Sequence, residues 1–307
     1  MKISVVLVTY NRIDKLIKCL ECYDKQKFIP KEIIVVNNNS CDGTREYLEK
    51  WSVNECNYNK VVINLEKNIG GSGGFYEGLN YYMKNSKDMD WVWVSDDDAF
   101  PQEDTFEEIY KYYKELEYNK RNNIVALCSK VINNGEIHYA HRNHIIKRLI
   151  KCPYTPSFNF EYNKKAFNID VFSYVGTLIK RSALKKAGIT NKDYFIYGDD
   201  QEHSLRLRKF GEIICIPSSE IIHNTPGFCE KKIFWGHYYN TRNDLINRKK
   251  YFNKKYYYLK IIKIYISEIS FFSKNNKNVK TMFKCAINDA RSDSLGIHPV
   301  YKPGYTL

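Results

Sequence analysis

Three consecutive aspartates, Asp96-Asp97-Asp98, follow the apolar run Trp91-Val92-Trp93-Val94. At an extended strand end alternate side chains share a face, so Asp96 and Asp98 point one way and Asp97 the other. Two carboxylates on one face behind an apolar run are costly unless something positive sits between them. A hydrated Mn²⁺ or Mg²⁺ bridging to a diphosphate meets that need, because hard cations take oxygen ligands and often few from protein. A solvated turn or helix start rich in Asp is the plainer account of the same residues, and their position in the fold separates the two.

A second acidic pair, Asp199-Asp200, opens an amphipathic segment that contains Glu202, Leu205, Arg206, Leu207 and Arg208. Such carboxylates cap a helix, or they serve as general base for an acceptor hydroxyl. His223 sits in a loop after a strand. A lone histidine is more often structural, yet as a neutral imidazole it can complete a metal site. His138, His141 and His144 are spaced by three, which suits zinc only if one helix carries them, and their segment reads as irregular. Gly70-Gly71-Ser72-Gly73-Gly74 lets backbone N–H groups approach a ligand. It is not a P-loop, because no Gly-Lys-Ser/Thr follows, and it is not the dinucleotide fingerprint, because it follows the third strand. Close helix packing accounts for the same glycines equally well.

The elements that must position these groups alternate regularly. Short β-branched runs at 3–8, 32–36, 61–64 and 91–95 read as buried strands. Helical spacing marks 14–25, 42–51 and 75–84 between them. The order β-α-β-α-β-α-β predicts an α/β fold with a mostly parallel sheet flanked by helices. Ligands of such sheets bind beyond the carboxyl ends of the strands. Thr9, Asn11, Asn37, Asn39, the glycine loop and Asp96 to Asp98 are therefore expected at one edge. Further on, a helix is expected over 103–117, a strand over 124–130, loops or a hairpin over 133–168, a strand over 171–179, a short helix over 182–187, a helix from Asp199 to Phe210 and a strand over 212–216. From Trp235 the chain reads as helical, basic and aromatic.

The 307 residues, 43% hydrophobic and 27% charged, allow a packed core and exclude global disorder. The net charge of +13 is uneven: residues 247–285 carry eleven basic side chains against Glu268 alone. Nine cysteines are scattered; Cys19 and Cys22 form a lone C-x-x-C with no second pair at zinc-ribbon spacing, so they read as part of a helix face. With no leader-like N-terminus, the thiols point to a reducing compartment. No stretch of about 18 uninterrupted apolar residues predicts a membrane span.

In order and spacing, these pieces resemble family 2 glycosyltransferases of the GT-A fold, over roughly residues 3 to 245. The resemblance rests on Val-Val-Leu-Val-Thr-Tyr-Asn-Arg at 5–12, Ile-Val-Val-Asn-Asn-Asn-Ser-Cys-Asp-Gly-Thr at 34–44, and Asn-Ile-Gly-Gly-Ser-Gly-Gly-Phe at 68–75. It continues with Asp-Asp-Asp at 96–98, Tyr-Gly-Asp-Asp-Gln-Glu at 197–202 and Tyr-Tyr-Asn-Thr-Arg-Asn at 238–243. The glycine-rich version and the triple Asp are most similar to the galactofuranosyltransferase branch, with rhamnosyltransferases close by. The resemblance implies that Thr9, Tyr10, Asn11 and Arg12 line the nucleotide pocket, with Asn37 and Asn39 near the base. Asn37 departs from the Asp that many members carry. It implies donor contacts at Asn68, Gly70, Gly71, Gly73 and Gly74. It further implies Asp96, Asp98 and His223 as metal ligands for Mn²⁺ or Mg²⁺, Asp96 and Asp97 beside the nucleotide sugar, and Asp200 as base with Asp199 its neighbour.

The implied reaction is a single inverting displacement that moves a hexose, galactofuranose from UDP-galactofuranose first, to a hydroxyl of a growing cell-surface glycan or lipid-linked oligosaccharide. A rhamnosyltransferase using dTDP-rhamnose is the alternative, and a non-catalytic glycan- or nucleotide-sugar-binding relative is the alternative of another class. The expected layout is a catalytic domain over 1–245, with a nucleotide-sugar half to about 130 and an acceptor half after it, and a basic C-terminal segment over 246–307. Tyr256 to Phe272 mixes Ile, Tyr and Phe with Lys, as an interfacial helix does. The expectation is a cytoplasmic protein, peripheral on the inner face of the plasma membrane and held to an anionic surface by this segment; a helical cap on the core is the competing account. No nucleic-acid partner is expected, because no recognition module accompanies the basic tail.

Overall fold

Strand β1 (Ile3–Thr9) is buried along its whole length, and its alternation divides the core between two faces of a sheet. Ile3, Val5 and Leu7 pack with Leu16, Leu48, Trp93 and Phe106. Val6 and Val8 pack with Ile34, Val36, Phe75 and Leu79 on the other side. After β1 come α1 (Ile13–Asp24), β2 (Glu32–Asn37), α2 (Thr44–Val53), β3 (Asn59–Asn64), α3 (Gly70–Asn85) and β4 (Trp91–Asp96). This computed structural model describes residues 1–146, 153–224, 233–267 and 276–306.

The second half contributes β5 (Phe100–Pro101), α4 (Thr105–Glu115), α5 (Tyr118–Asn123), β6 (Ile124–Asn133), β7 (Glu136–Ile137), β8 (Arg142–Ile145), β9 (Tyr154–Pro156), β10 (Phe167–Ile169), β11 (Val171–Phe172) and β12 (Thr177–Lys180). Then follow α6 (Arg181–Ala187), α7 (Asp199–Leu207), β13 (Glu212–Ile222), α8 (Gly236–Tyr251), α9 (Lys254–Ile264) and α10 (Lys277–Arg291). The central sheet runs β10-β13-β6-β12-β4-β1-β2-β3, with β5 and β7 at its margins. β1 to β4 are mutually parallel. β12 lies antiparallel between β4 and β6, and β13 is parallel to β6.

Three sequence expectations change. The helix expected from Phe75 begins at Gly70, so the glycines form its first turns rather than a loop before it. Their lack of Cβ is what admits the helix to the sheet: a Cβ on Gly74 would lie 2.5 Å from Val8 and one on Gly78 2.4 Å from Val6. The strand expected over 171–179 is two strands in different sheets, because Gly176 turns the chain at φ +71 and the buried Arg142 guanidinium takes the carbonyl oxygens of Val175 and Gly176. Over 133–168, expected as loops or a hairpin, β8 and β9 pair antiparallel, and β11 extends the pair to a three-stranded sheet. The strand expected to end at Ile216 continues to Ile222 past a register shift between Ile216 and Glu220, where Pro217 and two serines hid the pattern.

A C-terminal layer of α8, α9 and α10 closes over Phe195 and Tyr301 in a third apolar cluster. The residue boundary 245/246 falls within α8. The expected interfacial stretch 256–272 lies partly outside the described residues, as does the loop after Asn224. Among the described residues no helix is long and apolar enough to cross a membrane. Cys19 is buried on α1 with its thiol 3.4 Å from the carbonyl oxygen of Ala99, which agrees with a helix-face role.

Candidate active site

The carboxyl ends of the parallel strands coincide. Thr9 pairs with Asn37, Asn37 with Asn64, and Val8 with Asp96. Asp96 is thus the last residue of β4, delivered to the edge that topology predicts. His223 arrives from the other half, where its N–H donates to the carbonyl oxygen of Ile132 at 2.8 Å just beyond β13. Ligand atoms of Asp96, Asp98 and His223 all lie within 4.8 Å of one another. His223 Nε2 is 3.3 Å from Asp98 Oδ1. The strand expected to carry the aspartates ends at Asp96 and the chain turns at Asp97 and Asp98; Asp97 stands outside the three-residue group and accepts a 2.7 Å hydrogen bond from the Thr9 hydroxyl.

Two cations from α1 and its approach lean onto the acids. Arg12 reaches Asp98 at 2.6 Å and Asp97 at 3.3 Å, and Lys15 reaches Asp98 at 3.0 Å. Lys15 lies in the first turn of α1 and Arg12 at its N-cap, which brings both cations to the same helix end. Burial raises the Asp98 carboxyl, but His223, Arg12 and Lys15 together hold it well below the usual carboxylate range. Asp96 is raised, by burial and then by the charge of Asp98. Asp97 is pushed up to about 6 by burial, against Arg12 and the Thr9 hydroxyl. Burial opposes a charge on His223, but Asp98 and Asp96 outweigh it and its pKa rises.

A cavity of about 430 Å³ joins this cluster to the second acidic pair and to Arg12, Gly71, His141 and Tyr174. Asp199 and Asp200 open α7 behind the left-handed Gly198. Burial and the neighbouring Asp200 raise Asp199. Burial also raises Asp200, aided by Asp96 and opposed by the N–H groups of Gln201 and Tyr174. Carboxyl groups raised in a cleft are suited to taking up a proton near neutral pH.

The remaining expected residues frame the site. Asn11, at φ +52, binds the 40–42 loop: its N–H donates to Ser40 Oγ at 3.0 Å and its Oδ1 accepts from the N–H of Cys41 at 2.8 Å. Asn37 donates to Asn64 at 2.8 Å. Tyr10 is half-buried, and Asn39 is exposed at the same edge. Asn68 accepts from the Gly70 N–H at 2.8 Å and from Asn38 at 3.1 Å. Asn38 is a buried support that the sequence reading passed over. Of the four glycines singled out, Gly71 lines the cavity and has open space where a Cβ would stand. Gly70, Gly73 and Gly74 are packed against Phe195, Ile69 and Val8.

The histidines spaced by three do not share a helix. His144 bonds Glu161 at 2.7 Å, whereas His141 bonds Ser173 at 2.6 Å and His138 at 3.1 Å. His141 lines the cavity, its ring 5.5 Å from that of His223, a place that its spacing from His138 and His144 does not indicate. A second cluster, Cys285, Asp289 and His298, suits a metal poorly. His298 Nδ1 accepts from the N–H groups of Val300 and Tyr301 at 3.1 Å, so in the neutral ring the proton stands on the Nε2 that faces the thiol.

The first cluster does fit a divalent cation. Two carboxylates and an imidazole converge, burial and the charge of Asp98 raise the Asp96 carboxyl, and His223 Nδ1 is buried without a hydrogen-bond partner. Residues 4–188 match the model of the Glycosyl transferase family 2. The chain belongs to this family. Galactofuranosyltransferase GlfT1 of Mycobacterium tuberculosis is 31% identical over 103 residues, 33% of this chain and 32% of that protein. The match thus spans about a third of that relative's length. A dolichyl N-acetyl-alpha-D-glucosaminyl phosphate 3-beta-D-2,3-diacetamido-2,3-dideoxy-beta-D-glucuronosyltransferase of Methanococcus voltae is 24% identical over 257 residues, covering 82% of this chain and 75% of its own. The solved structure of GalNAc-T7 with UDP, GalNAc and Mn²⁺ superposes with a TM-score of 0.61 at 14% identity, over 95% of this chain and 56% of its own. The fold of this family 2 member is that of the GT-A glycosyltransferases.

Proposed function

We propose that this chain is an inverting, divalent-metal-dependent hexosyltransferase that moves galactofuranose from UDP-galactofuranose to a hydroxyl of a growing cell-surface glycan or lipid-linked oligosaccharide. The observation that carries this reading is the convergence of Asp96, Asp98 and His223 with Asp199 and Asp200 in one cavity at the strand ends. The galactofuranosyl donor is supported by the name of the mycobacterial relative, and the use of a nucleotide diphosphate and Mn²⁺ by what GalNAc-T7 was solved with.

Each group then has a task. Asp96, Asp98 and His223 hold the cation, which when bound offsets the charge that builds on the departing diphosphate. Arg12 and Lys15 stand at the same edge, placed to meet phosphate oxygens. Asp200 takes the proton of the acceptor hydroxyl as that oxygen attacks the anomeric carbon from the face opposite the leaving group. One displacement inverts the configuration, and the raised carboxyl of Asp200 suits a base working near neutral pH.

The test is donor hydrolysis against a panel of UDP and dTDP sugars, with and without EDTA. UDP-galactofuranose should be consumed fastest, with activity lost in chelator and restored by Mn²⁺ or Mg²⁺. Preference for dTDP-rhamnose would replace the donor assignment, and full activity in chelator would remove the cation from it.

The basic C-terminal part supports peripheral attachment to an anionic membrane surface. On α9 and the turn after it, Tyr258, Ile262, Tyr265 and Ile266 are exposed along one stripe, bordered by the exposed Lys254, Lys255 and Lys263. Apolar side chains flanked by lysines are how an interfacial helix meets acidic headgroups. Flotation with anionic liposomes at low salt should carry the protein upward, and absence of binding there would refute the attachment.

A further inference from the structure

The segment that delivers Asp199 and Asp200 is held in a costly shape. Phe195 has φ +67 and ψ −63, and the N–H of Ile196 donates to the carbonyl oxygen of Tyr194 at 2.8 Å. That is the γ-turn of the rare, strained kind. Tyr197 follows at φ +64 and Gly198 at φ +79. Non-glycine residues in such regions persist only where the surroundings over-determine them. A β-branched or bulky residue at positive φ is an outlier that needs a reason.

The reason comes from α8. Asn243, fully buried, donates through Nδ2 to the carbonyl oxygens of Tyr194, Ile196 and Tyr197 at 3.1, 3.0 and 2.7 Å. Its amide orientation is fixed, because Arg242 Nε donates to Asn243 Oδ1 at 2.9 Å. Arg242, also buried, reaches the Tyr194 carbonyl oxygen at 3.2 Å and that of Gly296 at 2.8 Å. One turn on, Asn247 donates to the Gly198 carbonyl oxygen at 2.9 Å and accepts from the Tyr194 hydroxyl at 2.6 Å. A Cβ on Gly198 would lie 3.3 Å from Asn243 Cβ, so the helix is seated directly against the turn.

The same turn touches the donor side. The Phe195 carbonyl oxygen accepts the N–H of Ser72 at 3.1 Å, and a Cβ on Gly70 would lie 2.0 Å from that oxygen. One rigid turn therefore joins α8 to the start of α7, where Asp199 and Asp200 stand, and to the start of α3, where Gly71 lines the cavity.

We infer that Asn243, aligned by Arg242 and backed by Asn247, is a positioning residue that locks the Phe195 γ-turn and so sets the carboxylates of Asp199 and Asp200 against the donor site. This rests on the reading of Asp200 as base. Asn243 touches no substrate, and its effect runs through the backbone of 194–198.

The deciding variant is Asn243→Asp, which keeps size and the Arg242 partner but presents an acceptor to three carbonyl oxygens. With UDP-galactofuranose as donor, kcat should fall about 100-fold, the scale of an ångström-sized misplacement of a reacting group, while the Kd for UDP with Mn²⁺ stays within about threefold. Amide exchange at 195–201 should speed up at least about tenfold, in line with a locally loosened turn. Should Asn243→Asp fail to fold, Asn247→Ala removes only the contacts to the Gly198 carbonyl oxygen and the Tyr194 hydroxyl, and the same split should appear at smaller size. A folded variant with unchanged kcat and exchange overturns the inference, as does loss of UDP binding in parallel with kcat. Asp200→Asn run alongside separates the two levels: retained turnover there sinks the base reading, whereas the faster amide exchange of Asn243→Asp is read without any donor.

Discussion

Arg12 and Asp98 form the tightest ion pair at the strand edge, at 2.6 Å, with the same guanidinium nitrogen 3.3 Å from Asp97. An arginine from the start of α1 thus occupies the charge-balancing place beside the proposed cation ligands. Removing it leaves Asp98 with Lys15 and His223 alone, which makes the cluster more attractive to a cation and less so to a diphosphate. For Arg12→Ala, Mn²⁺ should bind severalfold more tightly and UDP with Mn²⁺ about tenfold more weakly, the size of one lost charge-assisted contact. Calorimetric titration of each ligand checks this, and unchanged affinities would free Arg12 from both roles.

Asp200→Asn should lower kcat by about 10²- to 10⁴-fold, the range of general base catalysis, with UDP affinity unchanged within about twofold. In the wild type the base must be ionised. Because Asp200 is raised, kcat/KM should climb with pH above about 5, whereas an unperturbed aspartate near 3.9 would complete its rise lower. A flat profile between pH 5 and 7 contradicts the assignment.

The glycines of α3 separate packing from binding. Gly74→Ala forces a Cβ to 2.5 Å from Val8, and overpacking of this kind costs about 1–3 kcal/mol. Its melting temperature should fall by several degrees. Gly71→Ala meets open space, so stability should hold while donor affinity changes. Equal melting losses in the two variants would undo this distinction.

His203 provides a pH-dependent term in stability. It is fully buried, faces the Tyr174 hydroxyl at 2.5 Å and reaches the Gly188 carbonyl oxygen at 3.0 Å, and burial lowers its pKa to about 3. Between that value and the unfolded one, about 6.5, the unfolded chain binds the extra proton. The neutral ring's contribution is thus complete above the unfolded pKa and shrinks as pH falls below it. The stability gap between wild type and His203→Gln should narrow from pH 7 to pH 5 in urea melts. A gap that widens on acidification would reverse the sign.

Much of this was legible because the parallel half writes itself locally. Ile3–Thr9, Glu32–Asn37 and Trp91–Asp96 are apolar runs cut off by polar residues at the strand ends, so Thr9, Asn37 and Asp96 fall into line by topology. The other half hides its order in long-range contacts. His223 reaches Asp98 only because β13 continues past the shift after Ile216, where Pro217 interrupts the alternation. Arg142 organises two sheets through carbonyl oxygens, and carbonyl oxygens carry no letter in a sequence. The Phe195 turn is invisible for the same reason: neither Phe195 nor Tyr197 is a residue that positive φ advertises.

The site is completed by β6, β12 and β13, which lie beside β4 in the sheet but follow it in the chain, so they are synthesised after it. Asp98 leaves the exit tunnel well before His223 and α8. At about 5–20 residues per second, the interval is on the order of ten seconds. Through it the carboxylates have only Arg12 and Lys15, both already synthesised, to offset their charge. The two cations, which keep their hold on Asp98 in the finished fold, therefore balance a half-built pocket before the residues that finish the site exist.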